Sequence, residues 1–258
     1  MMPVTFPHLI GMDGAGTVAG LGDGVSDYAE GDAIVGFFGT HPGTVAEHAV
    51  IDVGPAVASR PETLDAGQAA AIPESGLTAL MVLRAAELES GQTALVIGAT
   101  GGIGLFLVQL AAAEGAQVIA TASGDDVDYV RGLGADEVVD YRGADAVEET
   151  LALHPDGVDV VIDLVNMGDA VAASARAARE GGRLVSPLAG PEDLGRDVAA
   201  VYPGSMSPQP GELERLVARA AAGTLKVEVS HTYTLDESPQ AMADFAEKHT
   251  RGKLVITP

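Results

Sequence analysis

The chain has 258 residues, 47% of them hydrophobic, which is enough for a substantial core in one large domain or two modest ones. It contains no cysteine, which excludes disulfides, thiolate zinc sites and cysteine nucleophiles. Lys and Arg total 14 against 37 Asp and Glu, and the formal net charge of −23 would repel a polyanion. We therefore expect no nucleic-acid partner.

The sequence pattern predicts neither a membrane span nor a signal peptide. It has no run of about 18 apolar residues that could span a membrane. The first residues, MMPVTFPHLIG, lack the basic and then apolar pattern of a signal peptide. We therefore expect a cytoplasmic protein with no membrane partner. The excess of carboxylates is explained either by an ordinary solvated surface or by adaptation to high salt, and both interpretations stay open.

The first sixty residues have the pattern of an all-β region. Short extended runs occur at GTVAG (16–20), DAIVGFF (32–38) and EHAVIDV (47–53). The turn-forming sequences GDG, EGD and HPG separate them.

The middle of the chain alternates short apolar strands with helix-length segments. The predicted strands are 94–98, 116–121, 137–141, 158–164, 183–187 and 198–202. The predicted helices are a segment from 103 to Gly115 and the segments 125–134, 144–153 and 168–180. Apolar strands that alternate with helices indicate a parallel sheet covered on both faces, and six of them match a doubly wound dinucleotide-binding fold.

The C-terminal part changes character again. A proline-rich stretch, PGSMSPQPGE, follows Tyr202. The pattern then predicts a helix at 212–222, a strand at 226–235, a helix at 237–249 and a final strand at 253–257.

The stretch ALVIGATGGIG (94–104) joins a buried strand to a helix through a glycine-rich loop. Small residues let the backbone approach a pyrophosphate, and the helix N-terminus supplies free N–H groups at the positive end of its dipole. In this context, the pattern predicts a dinucleotide site. The loop residues predicted to contact the cofactor are Gly98, Thr100, Gly101, Gly102 and Ile103.

Two other loop types can be excluded. No Lys-Ser/Thr pair follows the glycines, which excludes a kinase-type phosphate loop. Short-chain dehydrogenases have a similar loop but use a tyrosine with a lysine four residues later. The fourth residues after the five tyrosines are Asp32, Leu133, Asp145, Met206 and Glu237. None is a lysine.

Taken together, these segments resemble the medium-chain dehydrogenase/reductase superfamily, most closely its zinc-free quinone oxidoreductase branch. The resemblance is carried by residues 9–37, 69–80, 94–104, 132–142, 181–190 and 251–256. It implies an α/β fold with a doubly wound Rossmann parallel sheet and a partial GroES-like β domain. The implied domains are 1–72 (GroES-like, catalytic), 73–224 (Rossmann) and 225–258 (return to the GroES-like domain).

The family's zinc ligands are replaced in this sequence. Zinc-dependent members have Gly-His-Glu where this chain has Gly11-Met12-Asp13, and a thioether is a poor zinc ligand. A later cysteine ligand would correspond to a position near Glu74. The six histidines show no ligand spacing. We therefore expect no metal.

The resemblance implies hydride transfer from NADPH to a small-molecule quinone or α,β-unsaturated carbonyl. An enoyl thioester or another carbonyl is the alternative substrate, and a nucleotide-binding protein without turnover is the non-enzyme alternative. Thr78 is implied near the nicotinamide ribose or ring, and Val165, Asn166 and Ala189 at strand ends where the cofactor crosses. No catalytic side chain is assigned. Relatives commonly pair through the last sheet strand, here VAAVY (198–202), so a homodimer is expected.

The choice between NADPH and NADH depends on the end of the second strand. NAD enzymes have a carboxylate there for the ribose hydroxyls, whereas this chain has Thr121, Ala122 and Ser123. Ser123 could donate to a 2′-phosphate, and Arg142, after Tyr141, is the plausible cation. Asp125 and Asp126 would oppose a phosphate, although their charge also suits a helix N-terminus. The balance favours NADPH, with NADH possible.

The resemblance begins inside the family's first β-rich segment. Relatives have further strands before the part that matches LIGMDGAG (9–16). We therefore expect an N-terminally shortened member, either a truncated product or a natural short form. Its cofactor site would be intact, and its substrate site would be open or completed by a partner.

Overall fold

The computed structural model describes residues 9–39, 43–143, 145–204, 207–247 and 250–258. Their contacts divide the chain into two compact units. One unit comprises the chain up to Leu77 and from Pro208 onward, and the other runs from Thr78 to Ser207. The boundaries of the implied GroES-like and Rossmann domains, after residues 72 and 224, stay predictions.

The first unit contains two small sheets. The strands are β1 (Asp13–Thr17), β2 (Ala33–Phe37), β3 (Val57–Ser59), β10 (Val229–Thr234) and β11 (Lys253–Thr257). The antiparallel sheet has the order β1-β2-β3, and the second sheet pairs β10 with β11 in parallel. The helices are α1 (Ala66–Ala70), α7 (Glu212–Ala221), α8 (Ser238–Glu247) and the start of α2 (Pro73–Ala86). The GroES-like identity of this unit stays a prediction.

One predicted strand of this unit is wrong. Residues 47–53 form no strand, and the third strand is β3 instead. Burial explains the difference, because Val57 and Ala58 are buried whereas Val50 is 81% exposed. Apolar residues favour a strand only where a second layer covers them. The HPG turn lies partly outside the described residues.

The second unit contains a six-stranded parallel sheet. The strands are β4 (Thr93–Ile97), β5 (Gln117–Ala122), β6 (Glu137–Asp140), β7 (Val158–Asp163), β8 (Ala178–Val185) and β9 (Val198–Val201). They lie in the order β6-β5-β4-β7-β8-β9. The helices between them are α3 (Gly102–Ala113), α4 (Asp126–Arg131), α5 (Ala146–Leu153) and α6 (Asp169–Ser174). This order confirms the doubly wound Rossmann sheet, with its topological switch between β4 and β7.

The core of this unit lies on the sheet itself. Leu95, Ile119, Val161 and Leu184, from four neighbouring strands, are buried in one cluster. Continuous apolar strands are typical of a sheet covered on both faces. The helix predicted at 168–180 is shorter, because β8 already begins at Ala178, opposite Val158.

Candidate cofactor site

The carboxyl ends of β4, β5 and β7 meet at Gly98. Its N–H donates to Thr121 Oγ1 at 3.1 Å, which joins the ends of β4 and β5. Gly98 has φ of 88°, and a Cβ atom added to it would lie 2.6 Å from Val165 Cγ2. Glycine is therefore required here for both its backbone conformation and its close contact with the loop after β7.

The loop leads into the N-terminus of α3 without a side-chain cap. Gly101 is the N-cap residue and has no side chain that could bond to the first-turn N–H groups. A Cβ atom on Gly101 would meet only the Gly98 carbonyl oxygen, at 3.5 Å. The helix therefore offers backbone donors beside an open, small-residue surface. This arrangement fits an anionic group such as a pyrophosphate.

Gly104 serves packing rather than ligand access. A Cβ atom there would lie 2.7 Å from Ala99 Cα and still closer to the Gly98 carbonyl oxygen. The first turn of α3 consequently packs directly on the end of β4. All five predicted loop residues lie between the end of β4 and the first turn of α3, with Thr100 buried and Ile103 half-buried.

The ends of β5 and β6 form one side of the same edge. Ala122 pairs with Asp140 in the register, so Ser123 and Tyr141 follow at neighbouring strand ends. Ser123 is buried, whereas Tyr141 is 40% exposed. The Arg142 guanidinium carbon lies 6.0 Å from the Tyr141 ring centroid, the outer limit of a cation–π contact. A small hydroxyl, an aromatic ring and one guanidinium are therefore available on this side.

The loops after β7 and β8 form the other side. Val165 and Asn166 follow β7 after Leu164, and the Ala189 carbonyl accepts a hydrogen bond from Gly168 N–H at 2.9 Å. The structure thus brings Val165, Asn166 and Ala189 to one edge. Thr78 lies in α2 with its side chain buried. Their contacts with a cofactor stay predictions.

One buried polar residue at this edge was not singled out by the sequence pattern. Asp163, the last residue of β7, is fully buried and accepts bonds from Val165 N–H and Asn166 N–H. The available signal was the carboxylate that ends the strand VDVVID, directly after the apolar run VVI at 160–162. Ser174, in α6, donates to the same carboxylate, but no pattern in the sequence marks it as a partner of Asp163.

In the first unit, Asp13, which follows Met12, forms an ionic cluster with Glu74 and Lys253. Lys253 Nζ lies 3.7 Å from Asp13 Oδ2 and 3.6 Å from Glu74 Oε2, and 2.9 Å from Ser75 Oγ. Asp13 also accepts the Glu74 N–H at 2.9 Å. Burial raises the pKa of Asp13 to about 7, although the Lys253 ammonium acts in the opposite direction. This arrangement places an ammonium group between the two carboxylates.

The residues that the structure describes contain neither a metal-binding group of side chains nor a membrane-spanning helix. No three His, Asp or Glu side chains are grouped there so that they could hold a metal ion. Within the same ranges, none of the helices combines the length and apolar character needed to cross a membrane.

The geometry agrees with similarities to known proteins. A family model described as zinc-binding dehydrogenase matches residues 133–256. The chain is 31% identical to a chloroplast envelope quinone oxidoreductase homologue of Arabidopsis thaliana, over 100% of this chain and 82% of that protein. It is 34% identical to the polyketide synthase GfsB of Streptomyces halstedii, over 97% of this chain but 5% of that protein.

A solved structure adds a ligand to this comparison. The Escherichia coli quinone oxidoreductase complexed with NADPH aligns with a TM-score of 0.87 at 27% identity. The alignment covers 100% of this chain and 84% of that one.

Proposed function

Because the chain belongs to the quinone oxidoreductase-like branch of the medium-chain dehydrogenase/reductase superfamily, we propose that it transfers a hydride from NADPH to a quinone or α,β-unsaturated carbonyl, without a metal. Within that family it is an NAD(P)H-dependent oxidoreductase. The observation that carries the proposal is the glycine turn from Gly98 to Gly104, which leaves the α3 N-terminus uncapped and open.

In the proposed mechanism, the protein binds and orients. A bound nicotinamide would supply the hydride, and the chain's own groups hold it in place. Backbone N–H groups of the first α3 turn bind the pyrophosphate. Ser123, Tyr141 and Arg142 take the adenosine side, while Asn166 and Ala189 take the nicotinamide side. No side chain is assigned to proton transfer.

The preference for NADPH is supported by the end of β5. No carboxylate directly ends this strand, and Ser123 follows it with a hydroxyl. Arg142 is exposed at the neighbouring strand end, where its backbone N–H donates to Asp140 Oδ1 at 2.9 Å. Asp125 is the N-cap residue of α4 but makes no side-chain capping bond. Its charge therefore weakens the preference, and NADH binding is the measurable alternative.

Two alternatives have their own support. The similarity to a polyketide synthase favours an enoyl thioester as hydride acceptor, because polyketide synthesis is acyl-chain chemistry. A nucleotide-binding protein without turnover is the other alternative, since none of the described side chains is assigned to proton transfer.

The test is cofactor oxidation with purified protein and a panel of quinones, enones and enoyl thioesters. We expect NADPH oxidation with a quinone or enone and a KM for NADPH well below that for NADH. Ser123→Asp should reverse the cofactor preference by placing a carboxylate at the end of β5. Equal KM values would contradict the NADPH preference. Cofactor binding without oxidation across the panel would support the non-enzyme alternative.

A homodimer through residues 198–202 and a cytoplasmic location are part of the same proposal. β9 is the last strand of the sheet and pairs with β8 on one side, so its other edge could pair with a second copy.

A further inference from the structure

We propose that Asp163 is a positioning residue that orients the side-chain amide of Asn166, so that Asn166 Oδ1 accepts a hydrogen bond from the nicotinamide half of the cofactor. This inference rests on the proposed function, because it requires a nicotinamide dinucleotide at this edge of the sheet.

The Asp163 carboxylate is buried and accepts four hydrogen bonds from neutral donors. Its Oδ1 accepts the N–H groups of Val165 at 3.0 Å and Asn166 at 2.9 Å. Its Oδ2 accepts Asn166 Nδ2 at 2.8 Å and Ser174 Oγ at 2.5 Å. Such a group is stable in the interior only while its donors stay in place. The carboxylate therefore fixes the loop that follows β7.

The same contacts determine which way the Asn166 amide faces. An ionised carboxylate only accepts hydrogen bonds, so the NH₂ group of Asn166 must be the one that faces it. The amide is planar, and its oxygen consequently lies on the side away from Asp163. Asn166 is half-buried, at the carboxyl edge of the sheet. The loop thus presents an acceptor, rather than a donor, at this edge.

The position of the loop indicates which part of a dinucleotide the acceptor would meet. Val165 contacts the Gly98 turn, which follows the central strand β4. β7 lies on the opposite side of β4 from β5, whose end receives the adenosine ribose in this fold. Asn166 therefore belongs to the nicotinamide side. The donors on that half are the carboxamide N–H groups and the ribose hydroxyls, and both suit an amide oxygen.

The opposite end of the same strand provides a matched control. Asp159, near the start of β7, accepts Thr93 N–H at 2.8 Å and Arg179 Nε–H at 2.7 Å. Like Asp163, it is an aspartate bonded to backbone N–H. It lies at the amino edge of the sheet, where a dinucleotide does not bind in this fold. A general loss of sheet stability should therefore appear in variants of either aspartate, but a loss of cofactor binding only in those of Asp163.

The first variant is Asp163→Asn. The new amide oxygen can still accept both backbone N–H groups, but its NH₂ would face the NH₂ of Asn166. The Asn166 amide should then reverse and present a donor. We expect the Kd for NADPH to rise about tenfold, the size expected for one hydrogen bond. Asp159→Asn should leave this Kd unchanged.

A double variant provides the rescue. In Asp163→Asn with Asn166→Asp, the amide donates to the new carboxylate, whose second oxygen is again an acceptor toward the ligand. We expect the Kd for NADPH to return to within about threefold of the original protein. A double variant as weak as Asp163→Asn would overturn the proposed role of the Asn166 oxygen.

Asn166→Ala separates the possible donors. This variant should weaken the binding of NADPH about tenfold. It should leave the binding of 2′,5′-ADP unchanged, because this ligand lacks the nicotinamide half. The 3-acetylpyridine analogue of the cofactor lacks the carboxamide N–H groups. If Asn166→Ala does not change the affinity for the analogue, the carboxamide is the donor to Asn166. If it weakens the binding of the analogue as well, a ribose hydroxyl is the donor.

Two further results have distinct meanings. Unchanged NADPH affinity in Asn166→Ala, or an equal loss for 2′,5′-ADP, would overturn this inference while the proposed function stands. Failure of the unmodified protein to bind either NADPH or NADH would contradict the proposed function itself.

Discussion

Two aspartates, one in each unit, are stabilised by different means. Asp163 accepts four hydrogen bonds from uncharged donors. Asp13, with its side chain 14% exposed, accepts one backbone N–H and otherwise faces the Lys253 ammonium. A chain with 14 cationic side chains against 37 anionic ones has few cations for such a role. The difference indicates that backbone and side-chain dipoles can hold negative charge at the cofactor edge, whereas the Asp13 cluster depends on one lysine.

This difference predicts how each region fails. Removal of a charge should disrupt the Asp13 cluster, because a buried carboxylate pair without a counter-ion is unstable. The cofactor edge has no such ion pair at Asp163, so it should be sensitive to added volume and to reversed hydrogen-bond polarity instead.

The largest effect should come from Lys253→Met. The Lys253 side chain is 22% exposed and lies within 4 Å of both carboxylates. We expect the free energy of unfolding to fall by about 3–5 kcal/mol at about pH 8, above the pKa of about 7 that Asp13 has in the folded protein, because two largely buried carboxylates would face each other without a cation. Urea unfolding followed by circular dichroism measures this loss.

The matched control is Lys226→Met, in the same unit, where the side chain is exposed. Substitution there should change the free energy of unfolding by no more than about 0.5 kcal/mol. If the two variants lose equal stability, the Asp13 cluster does not depend on its lysine.

The pH dependence of stability should change in Asp13→Asn. The pKa of Asp13 is raised from 3.8 to about 7 in the folded protein. Between these values the unfolded chain releases the proton while the folded protein keeps it, so this residue makes stability fall as pH rises. The contribution is on the order of 4 kcal/mol at most across that window. Asp13→Asn should remove it and still accept the Glu74 N–H.

Unfolding curves at pH values from about 4 to about 8 measure how the free energy of unfolding changes with pH. This range covers the titration of the Asp13 carboxyl. Asp65→Asn is the control, because asparagine also caps a helix and the residue is exposed. An unchanged slope in Asp13→Asn would show that another group causes the pH dependence.

The sequence predicted the parallel sheet and the glycine turn because both depend on local patterns. Apolar runs and glycines are visible at short range, and the strand order then follows from the doubly wound fold. The ionic cluster was not predictable in this way. Lys253 bonds to Ser75 across 178 residues, and Asp163 bonds to Ser174 on a helix. Such pairs depend on tertiary packing, as does the burial that selects β3 instead of residues 47–53.

Alanine substitutions at Gly101 and Gly104 should have the smallest effects on the free energy of unfolding. They also compare two glycines in the same loop and helix start. Gly104→Ala would place a methyl group against the Gly98 carbonyl and 2.7 Å from Ala99 Cα. Backbone atoms cannot yield as a flexible side chain does, so we expect a loss of about 1–3 kcal/mol in the free energy of unfolding. Gly101→Ala meets only an ordinary contact at 3.5 Å and should leave stability within about 1 kcal/mol.

Cofactor affinity should separate the two glycines in the opposite way. The methyl group of Gly101→Ala would occupy the open surface beside the α3 N-terminus, where the pyrophosphate needs close backbone approach. We expect the Kd for NADPH to rise at least about tenfold in Gly101→Ala while its unfolding curve stays near that of the original protein. Unimpaired NADPH binding by Gly101→Ala would mean that the pyrophosphate does not bind on this turn. The dipole-based binding at the cofactor edge would then lose its main support, although the packing role of Gly104 would stand.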